Sequence, residues 1–378
     1  MKIGIITFWQ SHDNYGQQLQ CWALQQYLKK NGHDAFLIRY DFDNRIVGSG
    51  IQNVIKRTAI YRIIKSKIKT YINRHNKSYH DRKFEDFRKD HITMSKRMYY
   101  SLKFIKKHLP ICDVYIVGSD QVWSQLLYIK ENEVFYLSFG DYPVKRIAYA
   151  PSFGRSTYPQ ELWAKLREKL SQFDAISVRD DASVKICETV GVSAIKVLDP
   201  TLLLTKRDYY YLLESDISIN NKMYTFIYSL NVSKPDDLRY AELERYCMHN
   251  NFRCIATASS GYFPAQEMLP VKYVYPTIGQ WLSYINNASF VVTPSFHGVI
   301  FCIIMHIPFV YIPLKGRFSL GNDRVFSLLK DLSLTSRILL DNVTYESILS
   351  KEIDWLSVDS NIKVMKELSI NFLSNSLK

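Results

Sequence analysis

The chain opens on KIGIITF (Lys2–Phe8), an apolar run too short for a helix and followed at once by polar residues. A run of this kind reads as a strand buried on both faces. The next segment, SHDNYGQQLQCWALQQYLKKNGH, changes period: Leu19, Ala23 and Tyr27, with Leu24 and Leu28 beside them, recur at i, i+4. That spacing predicts a helix capped by Asp13 or Asn14, with Lys29 and Lys30 in its last turn and Gly32 ending it. DAFLIRY returns to a strand pattern. The three elements form a β-α-β unit, which implies a parallel sheet with right-handed crossovers.

The alternation resumes further on. CDVYIVGSDQVW, KRIAYAPSFG, AISVRD and AIKVLDP read as strands, with helices over ELWAKLREKLSQF and ASVKICETVG. Around Pro200 the pattern restarts. TFIYSL, FRCIATA, SFVVTPS and PFVYIP read as strands, separated by helical PDDLRYAELERYCMHN, IGQWLSYINNA and HGVIFCIIMH; NDRVFSLLKDLSL and two further amphipathic stretches close the chain. Two such runs predict an α/β fold with two doubly wound domains, residues 1–195 and 196–340, then C-terminal helices over 341–378. A length of 378 residues suits two domains.

Between Arg45 and Lys107 the composition departs from the rest, with 18 Lys/Arg against four acids. This stretch carries the whole net charge of +13. Within it Ile51, Ile55, Ala59, Ile63, Ile64, Ile68 and Ile72 recur near helical spacing, so residues 45–108 read as a basic helical insert in the first domain. An Ile-rich basic helix can lie on an anionic membrane surface. It can equally be a solvated helix or an interface for another subunit. Nucleic acid is not expected as a partner, because the charge is confined to one insert and no binding module is recognisable.

Six scattered cysteines without a CxxC pair fit neither a disulfide scaffold nor a zinc knot, and suit a reducing cytoplasm. MKIGIITFWQ is not a secretory leader, and no stretch offers ~20 uninterrupted apolar residues for a membrane span. GxGxxG after the first strand, GxxxxGK[ST], HExxH and GxSxG are all missing. Dinucleotide, P-loop, zinc-protease and serine-hydrolase sites therefore have no support, and neither a metal nor a cofactor is expected.

In doubly wound sheets, ligands sit beyond the carboxyl ends of the strands. The segments there are SHDNYG, GSDQVW, APSFG, VRD, LDP and TPSFHG. In TPSFHG a helix starts near His297 or Gly298. Its free N–H groups suit phosphate or carboxylate, with Ser295 as cap, Gly298 allowing close approach, and His297 donating to the anion or transferring a proton. The competing reading is a histidine satisfied by nearby carbonyls. Asp13, Asn14, Tyr15 and Gly16 lie on the first strand–helix turn, fit to hold sugar hydroxyls or simply to cap the helix. Asp120, Gln121 and Trp123 offer a carboxylate, an amide and an indole, a set that suits a sugar; the alternative places Trp123 in the core. Ser152 sits in APSFG. Arg179 suits a carboxylate or phosphate through two parallel hydrogen bonds, unless it merely pairs with Asp180. Arg317 and Arg324 sit on a basic loop ahead of a helix, just after Lys315.

Taken together and in order, KIGIITFWQSHDNYGQQLQCWALQQYL, YIVGSDQVW, IAYAPSFG, ISVRDDASVKICETVGV, VLDPTLLL and VVTPSFHGVIFCIIMHIPFV resemble the polysaccharide pyruvyl transferase family. The resemblance covers most of the chain and is weakest in the basic insert and the C-terminal helices. It implies two Rossmann-like domains facing a cleft, in the glycosyltransferase-B manner. It also implies transfer of pyruvate from phosphoenolpyruvate onto two hydroxyls of one sugar, giving a cyclic ketal. The acceptor would belong to a cell-surface polysaccharide or be its lipid-linked oligosaccharide precursor, placing the enzyme in the cytoplasm, at the inner face of the plasma membrane if the insert binds lipid. Phosphoenolpyruvate enters as a substrate, not a cofactor. The histidine of the family motif matches His297. Other branches carry Arg-Leu-His, whereas here the arginine's position is Ser295, so either other cations such as Arg179, Arg324, Arg317 or Lys315 hold the donor's phosphate, or the donor is a different one.

On this basis His297 is the general acid or the phosphate partner, and Arg179 holds the donor. Asp120 or Asp13 accepts a hydroxyl proton, while Asn14, Tyr15, Gly16, Gln121, Trp123 and Ser152 face the acceptor. Two other readings remain open: a nucleotide-sugar-dependent glycosyltransferase of the same architecture, and a non-catalytic scaffold in polysaccharide assembly. The sequence sets no oligomeric state.

Overall fold

A computed structural model describes residues 1–42, 81–140, 143–214, 223–259 and 267–378; the side chain of Arg317 lies outside the described set. The Ile-rich half of the basic insert, with its membrane-surface reading, falls outside it too.

Two parallel sheets form the frame. The first takes strands β1 (Lys2–Ile6), β2 (Asp34–Tyr40), β3 (Met94–Tyr99), β4 (Val114–Val117), β5 (Lys145–Ala148), β6 (Ala175–Val178) and β7 (Ile195–Lys196) in the order β3-β2-β1-β4-β5-β6-β7. The second takes β8 (Tyr224–Leu230), β9 (Arg253–Ser259), β10 (Lys272–Tyr273), β11 (Phe290–Thr293) and β12 (Phe309–Tyr311) in the order β10-β9-β8-β11-β12. Every pairing is parallel. The central strands are buried on both faces, as β4 and β8 show along their whole length. Continuous apolar runs are therefore what these positions require.

The helix Tyr15–Lys30 links the two sheets. Asn14, not Asp13, caps it: its side chain accepts the Gln17 N–H. Leu24 and Leu28 pack with Ile3, Ile5 and Val114 of the first sheet. Tyr15, Leu19 and Trp22 belong instead to the core built around Trp281, Val299 and Phe301 of the second half. A helix covered on both sides buries amides as well, and Gln18 and Gln20 spend theirs on the turn after β1. Gln18 donates to the Trp9 carbonyl at 2.6 Å, and Gln20 to Thr7 Oγ1 and the Phe8 carbonyl at 3.2 Å each. The strand tip is thus shaped by the helix that follows it.

The closing amphipathic stretches are the helices Tyr345–Leu349 and Trp355–Leu377. The second returns to the first sheet, packing Phe372, Leu373 and Leu377 onto Ile3 and Ile5. Residues 94–99, which the charge pattern assigned to the insert, are instead strand β3 at the sheet edge. Its solvent-facing residues are Lys and Arg, as an edge strand tolerates. Among the described residues, no helix is long and apolar enough to cross a membrane.

Candidate active site

In the first sheet the strand order reverses direction between β1 and β4, and in the second between β8 and β11. Such switch points open a crevice at the carboxyl ends of the strands. Here the two crevices face each other. Thr7 and Phe8 beyond β1, Asp120 and Gln121 beyond β4, Leu230 and Asn231 at the end of β8, and Ser295, Phe296 and His297 beyond β11 line one cavity of about 150 Å³. Trp9, Gln10, Ser11, Asn14, Gln17, Tyr40, Phe42, Ser124 and Arg324 complete its wall.

His297 lies in the first turn of the helix Phe296–Met305, which is buried at every residue. Ser295 caps this helix by accepting the Gly298 N–H at 3.2 Å. His297 is 6% exposed, and among the described residues its Nε2 has no hydrogen-bond partner. Asp199 Oδ2 lies 3.5 Å from it, beyond ordinary hydrogen-bond length. Hydrogen bonds of catalytic groups often tighten only when substrate is present.

Asp199, from the LDP segment, is the hub. Its Oδ2 accepts from Ser119 Oγ at 2.7 Å and from Arg179 Nη1 at 3.1 Å; its Oδ1 accepts from the Thr201 hydroxyl at 2.7 Å and the Thr201 N–H at 3.0 Å. Burial alone would raise this carboxyl. The His297 imidazole, the Arg179 guanidinium and Thr201 overcome that and hold it well below the usual carboxylate range. The Arg179 guanidinium also lies 4.6 Å from the centre of the Phe296 ring and 3.5 Å from Asp120 Oδ1.

Asp120 adopts φ 89° and Asn231 φ 59°, both left-handed and both at the cavity wall. Such conformations cost about 1–3 kcal/mol for a residue with a side chain and cluster at functional sites. Arg324 supplies the cavity's cation. Among the described residues its Nε is buried without a partner, and no carboxylate forms an ion pair with it. Burial pulls the guanidinium down to about 10, with the neighbouring charge of Arg179 adding to the effect.

The structure thus brings His297, Asp120, Ser295, Arg324, Asn14 and Gln121 to one cavity. It places the other candidates elsewhere. Arg179 is wholly buried and already engaged by two carboxylates, so it braces the wall instead of facing it. Trp123 is core: its Nε1–H donates to the Phe135 carbonyl at 2.9 Å, and its ring stacks on Tyr136. Tyr15 is buried among aromatic rings, and Gly16 packs directly under His297. Ser152 is buried, with its Oγ accepting the Gly154 N–H at 3.0 Å. Asp13 accepts from Ser11 Oγ at 3.1 Å, off the cavity wall. Gly298 is glycine because a β-carbon there would lie 2.6 Å from Thr293 Oγ1, and it does not line the cavity. Lys315 rims a separate pocket that shares Asn231 and includes Pro294.

Sequence reasoning missed Asp199, although LDP stood among the strand-end segments, and it missed Asn231. It also sought the sugar-facing ring at Trp123. The aromatic wall is formed by Phe8 and Phe42, with centroids 5.2 Å apart, each packed on Phe135.

Comparison with known proteins bears on the fold and the family. No curated protein matches the chain. Among solved structures, UDP-N-acetylglucosamine 2-epimerase from Rickettsia bellii is similar at 10% identity and TM-score 0.52, covering 99% of this chain and 96% of the epimerase. S. aureus MnaA, solved with UDP, is similar at 11% identity and TM-score 0.51, covering 100% of this chain and 96% of that one. These likenesses establish the fold, two Rossmann-like units of the glycosyltransferase-B kind. The model of the family described as polysaccharide pyruvyl transferase matches residues 14–316, a span that runs from the cap of the first helix past His297, and the chain belongs to that family.

Proposed function

We propose that this protein transfers the pyruvyl group of phosphoenolpyruvate to two hydroxyls of one sugar, with the donor bound between Arg324 and the start of the Phe296–Met305 helix. The observation that carries this reading is Arg324: a half-buried guanidinium with its Nε enclosed and no ion pair among the described residues, at a wall that also holds a helix N-terminus and an imidazole. Leaving a charge unpaired in this way is costly unless an anion fills the place. Phosphoenolpyruvate carries two anionic groups on a small frame. Arg324 takes the part of the arginine that other branches place where Ser295 stands.

The chemistry divides among the residues as follows. One sugar hydroxyl adds to the central carbon of the donor while the methylene carbon is protonated to a methyl. The second hydroxyl then displaces phosphate from the same carbon. Two C–O bonds form, one C–O bond to phosphate breaks, and the two hydroxyl protons end on the methyl group and the departing phosphate. His297, oriented by the Asp199 carboxylate, delivers the proton to carbon. Asp120 receives a hydroxyl proton, and Arg324 with the helix N-terminus stabilises the leaving phosphate. The acceptor lies along Phe8 and Phe42 with the amides of Gln10, Gln17 and Gln121 around it. The low sequence identity to the epimerases carries nothing about their ligands.

Mass spectrometry of oligosaccharide acceptors incubated with phosphoenolpyruvate tests the reading. It expects a saccharide heavier by one pyruvate ketal, formed by the wild-type protein and not by His297→Ala. A nucleotide-sugar glycosyltransferase would instead add a whole sugar residue and ignore phosphoenolpyruvate.

A further inference from the structure

The described end of the basic insert does not turn all of its arginines to solvent. Arg82 is 0% exposed. Its Nη1 donates to the Tyr15 hydroxyl at 2.7 Å, and its Nη2 donates to the Ala258 carbonyl at the end of β9 at 2.6 Å. The Tyr15 hydroxyl in turn donates to the Pro276 carbonyl at 2.8 Å. One phenol thus ties together the insert, the start of the first helix and the loop before the helix Ile278–Asn286.

The ring of Tyr15 is held as tightly as its hydroxyl. It stacks on Trp281 with centroids 4.9 Å apart and planes at 6°, and it meets Tyr228 and Phe84 edge-on at 5.7 and 5.0 Å. Phe84 also comes from the insert. A second arginine of the insert, Arg88, donates from Nη1 to the Ser11 carbonyl at 2.9 Å. Ser11 lines the cavity. Two buried arginines therefore grip both ends of the turn Ser11–Tyr15.

The residue after Tyr15 is Gly16, and Gly16 is the surface on which the His297 imidazole rests. Consecutive residues in the first turn of a helix move as one body, so whatever fixes Tyr15 fixes the floor under His297. We infer that Arg82 is a positioning residue for the reaction: through Tyr15 it sets Gly16 against His297, so the basic insert governs the alignment of the catalytic imidazole. The inference rests on His297 being the reacting group, and not on the identity of the donor. It gives the insert a role that its charge alone does not suggest. A chain segment that carries excess positive charge usually presents it to solvent or to a partner, whereas these two arginines spend theirs inside the protein.

The test compares Arg82→Lys, Arg82→Met and Tyr15→Phe with wild type by two readouts: kcat and donor KM for pyruvyl transfer, and the His297 imidazole resonances in protein labelled with ¹⁵N-histidine, assigned with His297→Gln. A misplacement near 1 Å can cost about 100-fold in rate. Arg82→Met and Tyr15→Phe are expected to lower kcat by roughly 10- to 100-fold, with donor KM changed less than about threefold, and to shift the His297 resonances. Arg82→Lys, which keeps one charged donor, recovers part of the loss. A purely structural arginine would lower the melting temperature and leave both kcat and the resonances of the folded fraction unchanged. That result, in Arg82→Met or in Tyr15→Phe where the methionine variant does not fold, overturns the inference. If the wild-type protein consumes no phosphoenolpyruvate, the proposed function fails, while the resonance shifts still decide whether Arg82 is coupled to His297.

Discussion

A β-carbon on Gly16 would lie 2.2 Å from both Cγ and Nδ1 of His297. The contact joins the first turn of the first long helix to the first turn of the helix that carries the imidazole, one element from each half of the chain. The atoms in the way are the root of the imidazole and not the end of a flexible side chain, so an added methyl must push the ring. Gly16→Ala is expected to fold with a stability loss of about 1–3 kcal/mol, typical of overpacking, and to lose about 100-fold in kcat because the ring leaves its place. Thermal denaturation and steady-state kinetics on the same preparation check both halves.

Asp199 gives a pH dependence with a definite sign. Folding holds its carboxyl well below its value in the unfolded chain, even though burial works against this, because His297, Arg179 and Thr201 favour the charged form. The stabilisation is therefore complete above the unfolded value, about 4, and is lost as pH falls towards the folded one. Asp199→Asn removes that dependence and leaves Arg179 buried without its nearest carboxylate. Breaking such a pair costs about 3–5 kcal/mol. Melting temperature followed from pH 7 down to pH 3 is expected to fall for wild type and to be lower but flatter for the variant.

Arg324 separates stability from function. It is desolvated, its guanidinium lies near that of Arg179, and it holds no ion pair among the described residues. Arg324→Met is expected to melt no lower than wild type and to lose most of its donor affinity. Phosphoenolpyruvate at a hundredfold excess over Kd stabilises a binding protein by about 2.7 kcal/mol, so a thermal shift present in wild type and lost in the variant is the check. A variant that melts lower and still shifts with donor would place the anion elsewhere.

The two aromatic positions make a further pair. Trp123 is stacked in the core and Phe8 stands at the cavity. Phe8→Ala is expected to raise acceptor KM about tenfold with donor KM unchanged, the loss of one stacking surface amounting to roughly 0.5–1.5 kcal/mol beyond its buried area. Trp123→Phe is expected to lower the melting temperature and leave both constants alone.

What was legible in the sequence follows from what each element does locally. The central strands and the Phe296–Met305 helix were readable because continuous burial demands continuous apolar residues. Strand β3 was not, since MSKRMY shows Lys and Arg at an edge that faces solvent. His297 could be found because strand tip, cap and histidine are contiguous in TPSFHG. Asp199 could not, because its meaning lies in His297, 98 residues further on, and in Arg179 and Ser119 on neighbouring strand ends. Arg82 was hidden for the opposite reason. In a run of 18 basic residues, nothing local distinguishes the one that is buried against Tyr15 from those facing water.

The most direct measurement is a ³¹P NMR time course of phosphoenolpyruvate with the protein and an oligosaccharide acceptor. The expected result is conversion of the donor signal to inorganic phosphate that requires the acceptor, is abolished in His297→Ala and is slowed in Arg324→Met by weakened donor binding. A wild-type protein that leaves the donor signal intact across a broad acceptor panel, or a His297→Ala variant that converts it at the wild-type rate, would contradict the assignment of this cavity.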